Sequence, residues 1–361
     1  MLFKELRYFG FRNIADGSII TDSRNVVLEG TNGQGKTNIL ESVYILSYGS
    51  SFRTANVKEA ISFGRQRMHI AAIAQDDDGQ MHKVEYVNQQ GKRRIVLDGK
   101  TIHDRKDLIY GFPVIVFSHE DIEFVKGETE YRRRFFDQTF SMYDPMYLDS
   151  LRSYRNILAQ RNAAIKAGQT SLISLYDERL ARHGLEISDK RRRGVDEFNL
   201  IFPSLYRRIS GSEIDISIRY QPSWKDLSSV DEVVEYLEST RDRDIRMTTT
   251  SSGIHRDRFT VYDSNGPFVQ SGSTGQVRLA SILFRLAEAK FFISMTGKKP
   301  VLLIDDVLLE LDANKRASFL SMLDDYSQAF FTFLPDEKYF ASKKEDMLEY
   351  VVVGGRVEGK T

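Results

Sequence analysis

A glycine-rich stretch of eight residues, 30–37, limits the possible folds of this chain more than any other feature. It fits the phosphate-binding loop pattern G-x-x-x-x-G-K-S/T, and an apolar run, Asn25–Glu29, precedes it as an expected strand. The apolar spacing after the loop predicts a helix, so backbone N–H groups and the helix's positive end would point at phosphates. We therefore predict that a nucleoside triphosphate is bound by Gly30, Thr31, Asn32, Gly33, Gln34, Gly35, Lys36, Thr37 and Asn38.

A second motif far downstream would supply the carboxylates of the same nucleotide site. Four apolar residues, Val301–Ile304, predict a parallel strand that is buried on both faces. Asp305 and Asp306 follow directly, at the edge where α/β sheets bind their ligands. In this Walker B interpretation Thr37 and Asp305 hold Mg²⁺, Lys36 reaches the β and γ phosphates, and Asp306 orients or deprotonates the attacking water. Each motif taken alone also fits a simpler interpretation, a glycine-rich turn or a buried strand that ends in an acidic turn.

A third element, about thirty residues before the Walker B strand, indicates which class of ATPase this is. Ser273, Gly275 and Gln276 form a Ser-x-Gly-Gln element at the start of a strongly predicted helix. Asp312 follows the Walker B strand in a segment that resembles the D-loop of ABC-type ATPases. The four motifs resemble an ABC ATPase head in kind and order. That resemblance implies that Ser273 and Gly275 contact the γ phosphate held by a second subunit, so that ATP closes a dimer. The alternative is an ordinary helix cap.

Composition limits where the protein can be located and which kinds of site it can contain. No apolar run approaches the roughly 20 residues that cross a bilayer, and the absence of cysteine excludes disulfides and thiolate zinc sites. A cytoplasmic protein without membrane contact is the resulting expectation. Basic and acidic residues balance at 51 each, so any DNA binding must come from local patches and not from net charge.

Several further segments resemble the RecF family of bacterial recombination and replication-repair proteins. They run in the family's order along nearly the whole chain: residues 6–13, 29–43, 49–53, 116–121, 125–127, 132–137, 160–162, 253–257 and 304–307. Four positions depart from the family pattern, namely His119, Ile254, Arg258 and Val277. The departure at Val277 leaves Ser273, Gly275 and Gln276 intact. We therefore still expect this Ser-x-Gly-Gln element to work as the signature motif of an ABC ATPase.

The resemblance implies an ATP-dependent DNA-binding clamp that uses ATP and Mg²⁺. It would dimerise on ATP at gapped DNA or single-strand/double-strand junctions and release on slow hydrolysis. By the same resemblance it would act with RecR and help to load RecA. Thr332 lies where transport ATPases carry a switch histidine, which also favours slow hydrolysis. Two other functions stay open: a nucleotide-switched protein scaffold at the replisome, and a transporter ATPase subunit. The second fits poorly with the size of the inserted lobe and with Thr332.

The predicted fold class is α/β, an ABC-type P-loop ATPase head with a mixed sheet and helices, split by an inserted, mostly helical lobe. We expect the head's first half at 1–118, the lobe at 119–250 and the head's second half at 251–361. The lobe carries basic clusters that could meet DNA phosphates, and the candidates are Arg132, Arg133, Arg134, Arg191 and Arg192. Interspersed acidic residues leave a solvated, salt-bridged helix surface as the alternative.

Overall fold

The structure is a computed structural model that describes residues 1–323, 325–335 and 346–360. It divides into two compact units, which we call the head unit (Met1–Asp121 with Phe292–Thr361) and the lobe unit (Ile122–Phe291). The strands are β1 Leu2–Phe9, β2 Gly17–Ile20, β3 Asn25–Glu29, β4 Arg67–Gln75, β5 Met81–Gln89, β6 Lys92–Leu97, β7 Lys100–Thr101, β8 Val114–Phe117, β9 Ser217–Gln221, β10 Arg258–Asp263, β11 Gly266–Pro267, β12 Val301–Ile304, β13 Gln328–Phe333, β14 Met347–Val353 and β15 Arg356–Gly359.

Helices alternate with these strands in the head unit and dominate the lobe unit. They are α1 Lys36–Tyr48, α2 Lys106–Gly111, α3 Thr129–Ser141, α4 Pro145–Lys166, α5 Thr170–Ser210, α6 Val230–Ser239, α7 Arg241–Met247, α8 Phe268–Ser271, α9 Thr274–Thr296 and α10 Ala313–Met322. Within the described residues, none of these helices is long and apolar enough to cross a membrane. The mixture of sheets and helices confirms the predicted α/β class.

A mostly parallel sheet in the head unit positions the functional residues. Its order is β15-β14-β3-β13-β12-β8, and all neighbours from β14 to β8 are parallel, while β15 is antiparallel. Strands β8, β12 and β13 are buried along their whole length, as apolar runs in a doubly covered parallel sheet should be. Register pairs Ile304 with both Phe117 and Phe331, so the residues that follow β8, β12 and β13 meet at one edge.

The head unit also contains an antiparallel sheet, in the order β2-β1-β4-β5-β6-β7. Residues of β5 alternate: Val84, Tyr86 and Asn88 are buried, while the side chains between them face the other side. The buried side packs with α1 and the parallel sheet in one apolar core that includes Leu6, Leu40 and Ile70. This core fixes α1, and therefore the loop before it.

The lobe unit is built around α5, whose 41 residues pack along α4. A three-stranded sheet in the order β11-β10-β9 adjoins the helices. A cluster of aromatic rings joins α3, α5, β10 and α9 and comprises Phe135, Phe136, Phe198, Phe202, Phe259 and Phe284.

This aromatic cluster explains a difference from the expected domain boundaries. The lobe begins close to the expected residue 119, but it ends at Phe291 and not at 250. Helix α9 contributes Phe284 to the aromatic cluster and packs Phe291 against its member Phe198. Glu288 of α9 accepts a hydrogen bond from Thr139 of α3 at 2.8 Å. The expected signature residues therefore belong to the lobe unit and not to the head's second half.

Candidate nucleotide-binding site

The phosphate loop has the backbone that an anion site needs. Gly33 and Gly35 adopt positive φ angles of 81° and 118°, which L side chains rarely adopt. Gly30 is pressed so close to the carbonyl oxygen of Val352 that an added Cβ would lie 2.6 Å from it. The N-cap of α1 is Gly35, which has no side chain that could cap the helix. The first helical N–H groups are therefore available to an anion.

Lys36 is held in place by the loop it belongs to. Its Nζ donates a hydrogen bond to the Gly30 carbonyl oxygen at 2.6 Å and lies 3.8 Å from the Asp306 carboxylate. Only 5% of the residue is exposed. A phosphate above the loop would offer this ammonium group a charged acceptor in place of the carbonyl, so the lysine is poised to move by a short distance.

The two distant motifs meet directly. The Thr37 hydroxyl donates to the Asp305 carboxylate at 2.8 Å, across 268 positions of sequence. Burial raises the pKa of Asp305, the hydrogen bond from Thr37 opposes this rise, and the neighbouring charge of Asp306 adds to it. No cluster of three or more His, Cys, Asp or Glu side chains suited to a metal occurs in the part of the chain that the structure describes. The oxygen pair of Thr37 and Asp305 fits Mg²⁺ in its usual form, bound by few protein ligands together with phosphates and waters.

Asp306 has a strained backbone and a hydroxyl partner that sequence reasoning did not assign. Its φ is +54°, in the left-handed region where a non-glycine residue is uncommon. Its N–H donates to Thr332 Oγ1 at 2.9 Å, and that hydroxyl lies within 2.9 Å of the Asp306 carboxylate and 3.1 Å of the Asp305 carboxylate. The sequence placed Thr332 at a strand end, but only the parallel register of β13 and β12 shows that it holds both carboxylates.

A polar layer behind the loop explains two segments of the family resemblance. Asn38 donates to Asn13 at 2.7 Å and accepts from Arg53 at 2.6 Å, so its side chain braces the loop. Glu41, which is fully buried on α1, is paired with Arg12 at 2.7 Å. It also accepts a hydrogen bond from Ser51. These contacts join residues far apart in sequence, and no single motif predicts them.

A cleft of about 500 Å³ opens over the loop, a volume typical of small-ligand sites. Thr31 through Asn38, Asp305 and Asp306 line it, as expected from the sequence. The lining residues that we did not predict as site residues are Phe52, Arg53, Ser118, His119 and Glu120. Ser118 follows β8, which places its segment at the same sheet edge as Asp305.

The expected signature and D-loop residues cap helices. Ser273 and Gln276 cap α9 reciprocally: Gln276 N–H donates to Ser273 Oγ at 3.3 Å, and Ser273 N–H donates to Gln276 Oε1 at 2.8 Å. Gly275 is exposed, and no heavy atom lies within 4 Å of the Cβ it lacks. Asp312 caps α10 through Lys315 N–H at 3.0 Å. These contacts leave the first turn of α9 accessible.

The expected DNA-binding arginines divide into three groups. Arg191 is 1% exposed and pairs with Asp137 and Asp257 at 2.7 Å each, so the prediction that it contacts DNA is wrong. Arg132 and Arg133 are half-buried and donate to backbone carbonyls of Phe259, Gly127 and Asp257. Arg134 and Arg192 are exposed. Residues 190–193 are all basic, so the sequence alone does not separate Arg191 from its neighbours, whose burial depends on the face of α5 that each occupies.

In the head unit, a phosphate loop joined to a Walker B carboxylate by a hydroxyl bond, on a mostly parallel sheet, defines a P-loop ATPase. The comparisons agree with this class. The family model of the RecF/RecN/SMC N-terminal domain matches residues 2–350. A solved Smc head bound to the C-winged helix domain of ScpA shares the fold, with a TM-score of 0.58 at 14% identity over 100% of this chain and 97% of that one.

Three comparisons are more specific. A Treponema pallidum (strain Nichols) protein named DNA replication and repair protein RecF is 40% identical over 96% of this chain and 97% of its own length. A protein of the same name from Leptospira interrogans serogroup Icterohaemorrhagiae serovar Lai (strain 56601) is 32% identical over 99% of both chains. A solved structure of the recombination mediator protein RecF with ATP, in the RecFOR pathway, has a TM-score of 0.90 at 27% identity, and covers 100% of this chain and 98% of that one. The chain belongs to the RecF family.

Proposed function

We propose that this protein is an ATP-dependent DNA-binding clamp in recombinational repair and replication restart. One observation carries the proposal: Thr37 donates to Asp305 at 2.8 Å and so joins the phosphate loop to the Walker B strand in one site with Lys36 and Asp306. The relatives named above, DNA replication and repair proteins and a recombination mediator, support DNA as the partner. We further propose a cytoplasmic location and, from the family, action with RecR to help load RecA.

The residues of the site divide the work of ATP binding and hydrolysis. Backbone N–H groups from Gly33 to Thr37 bind the phosphates, and Lys36 exchanges the Gly30 carbonyl for phosphate oxygens. Thr37 and Asp305 would hold Mg²⁺, which neutralises charge that develops on the phosphates. Asp306 accepts a hydrogen bond from the attacking water and orients it. Thr332 holds Asp306 but its hydroxyl is a poor proton acceptor, which favours slow hydrolysis.

The accessible first turn of α9 supports a dimer that closes on ATP. Ser273, Thr274 and Gly275 are exposed, and the N–H groups of a helix start bind anions. In the proposed dimer this turn contacts the γ phosphate held by the other subunit, so hydrolysis releases the contact and opens the clamp. Arg134 and Arg192 of the lobe unit remain candidates for phosphate contacts at gapped or junction DNA.

Binding to gapped duplex DNA, followed with ATP, ADP or no nucleotide, tests the proposal when mass is tracked in the same samples. The parent should dimerise and bind DNA with ATP alone, and Lys36→Ala and Ser273→Arg should each lose both. Ser271→Arg, two residues before the signature, is the matched control and should keep both. Dimers that form with ATP but leave the DNA free would contradict the clamp and favour the scaffold function.

A further inference from the structure

A surface of the head unit that the nucleotide site does not use combines exposed aromatic rings with unpaired cations. It lies at one end of the antiparallel sheet, and we call it the β-edge surface. Its residues are Phe9, Phe63, Arg67, Lys92 and Arg94.

Phe63 is the most exposed large apolar residue recorded for the described chain, and its ring is fully accessible. It lies in a turn closed by a hydrogen bond from Arg65 N–H to the Ser62 carbonyl at 3.0 Å, with Gly64 at a φ of +76°. The Ser62 N–H donates to Gly10 at 2.9 Å and ties the turn to the end of β1. The ring is therefore presented on a braced turn and not on a loose loop, although its exposure gains no burial energy for the fold.

The cations lie on strands beside this turn, in rows of residues that are paired across the sheet. Arg67 lies opposite Gln89, which lies opposite Lys92, and in the next row Phe9, His69, Val87 and Arg94 are aligned across four strands. Because Tyr86 and Asn88 of β5 point into the core, Val87 and Gln89 face the opposite side, and so do their cross-strand partners.

The cations of the β-edge surface have no carboxylate partners in the part of the chain that the structure describes. Arg67, Lys92 and Arg94 form no ion pair with any carboxylate among residues 1–323, 325–335 and 346–360, whereas Arg182, Arg191 and Arg193 of the lobe unit each pair with a nearby carboxylate. Arg65 is the exception at the edge, because it pairs with Asp16 at 3.0 Å and covers the Phe9 ring at 4.9 Å. In a chain with equal numbers of acidic and basic residues, three unpaired cations in adjacent rows are a local excess of positive charge.

We propose that the β-edge surface binds nucleic acid at a single-strand/double-strand junction, with the cations on backbone phosphates and Phe63 stacked on the first unpaired base. Cations fixed on neighbouring strands match a polyanionic backbone, and an aromatic ring stacks on any base whose face is free. Continuous duplex offers no free base face, while a gap or a single-stranded end does. This inference rests on the proposed function, because it names where and how DNA is read.

Binding of a gapped duplex and of a continuous duplex of equal length, measured with ATP by fluorescence anisotropy, tests the inference. Phe63→Ala should weaken binding to the gapped DNA about tenfold and leave the affinity for continuous duplex nearly unchanged. Phe63→Trp keeps an aromatic ring and should bind gapped DNA as the parent does. A 2-aminopurine at the first unpaired position should lose its quenching in Phe63→Ala. Met81→Ala, an exposed apolar residue at the opposite end of β5, is the matched control and should bind as the parent does.

The charged residues are tested separately. The triple variant R67Q/K92Q/R94Q should weaken binding to both DNAs and reduce the slope of log affinity against log salt by about one for each phosphate contact that is lost. The inference is overturned if Phe63→Ala and the triple variant bind gapped DNA as tightly as the parent. If the parent itself binds neither DNA with ATP, the proposed function fails and this inference fails with it.

Discussion

Two clusters of basic and acidic side chains in this molecule differ in how completely their charges are paired. In the head unit, Lys36 lies near Asp306 at 3.8 Å beside an open cleft, and its shortest bond is to a backbone carbonyl. In the lobe unit, Arg191 pairs with Asp137 and Asp257 at 2.7 Å in a closed interior. In the first cluster the cation and its carboxylate partner are 3.8 Å apart and Asp306 has a strained backbone, whereas in the second the cation contacts two carboxylates at 2.7 Å each.

The buried cluster is held together by complete pairing. Burial alone would lower the pKa of Arg191, but the charges of Asp137 and Asp257 raise the pKa well above its ordinary value. Tyr147 and Tyr220 donate to the same oxygens of Asp137 and Asp257 that Arg191 contacts. The second oxygen of Asp137 accepts from Arg155 at 3.3 Å, and that of Asp257 accepts from the Ser223 N–H at 2.7 Å. In this molecule the incompletely paired cation, Lys36, lines the cleft, while the fully paired one, Arg191, holds structural elements together.

The largest expected effect is the loss of stability when the cation of the lobe cluster is removed. Arg191→Ala should leave Asp137 and Asp257 buried without their cation and should lower the free energy of unfolding by about 3–5 kcal/mol. Arg192→Ala, one position along and 58% exposed at its side chain, should change it by less than about 0.5 kcal/mol. Urea unfolding of both variants measures the difference. Equal stability of the two would show that Arg191 is not the structural cation described here.

The next effect concerns the open cluster. Asp306→Asn removes the carboxylate that we propose orients the attacking water, so ATP turnover should fall at least about 100-fold while ATP binding is kept. Steady-state hydrolysis and nucleotide titration measure the two quantities. Asp325→Asn, an exposed carboxylate of the same unit, is the control and should hydrolyse ATP as the parent does. Turnover of Asp306→Asn at the parent rate would remove Asp306 from the reaction.

A smaller effect should come from the hydroxyl that joins both carboxylates. Thr332→Val leaves the Asp306 N–H without its acceptor, so the head unit should lose about 1 kcal/mol of stability and ATP turnover should fall several-fold. Thr332→Ser keeps the hydroxyl and should behave as the parent does. If Thr332→Val hydrolyses ATP at the parent rate, Thr332 has only a packing role.

The smallest effect is a pH dependence in the lobe unit. Burial lowers the pKa of His255 to about 4, and the ring is held neutral between the Tyr154 hydroxyl and the Thr250 carbonyl. Because the unfolded chain binds this proton more readily, stability should be full above about pH 6.5 and fall as pH drops toward 4, by less than about 1 kcal/mol at pH 6. His255→Gln should flatten that part of the stability curve relative to the parent. An unchanged slope in the variant would contradict the buried neutral histidine.

The sequence predicted those parts of the site that are continuous in the chain. The phosphate loop and the strand before Asp305 follow from local spacing, because glycine geometry and a doubly buried strand each leave a linear pattern. Thr332 and Arg53 reach the site through sheet register and loop packing, for which a single sequence has no linear signal. The lobe extends past the expected boundary at 250 because the aromatic face of α9 packs against α3 and α5. Hydrophobic spacing predicts that α9 is a helix, but it does not show to which unit the helix belongs.

In the proposed dimer, ATP is held between Lys36 of one subunit and Ser273 of another. Mixing Lys36→Ala with Ser273→Arg tests it most directly, because each variant alone lacks a complete site but the mixed dimer contains one. We expect each variant alone to be inactive and the mixture to regain ATP-dependent dimers and part of the parent's ATP hydrolysis. A mixture as inactive as its components, with both variants folded, would contradict a site shared between subunits.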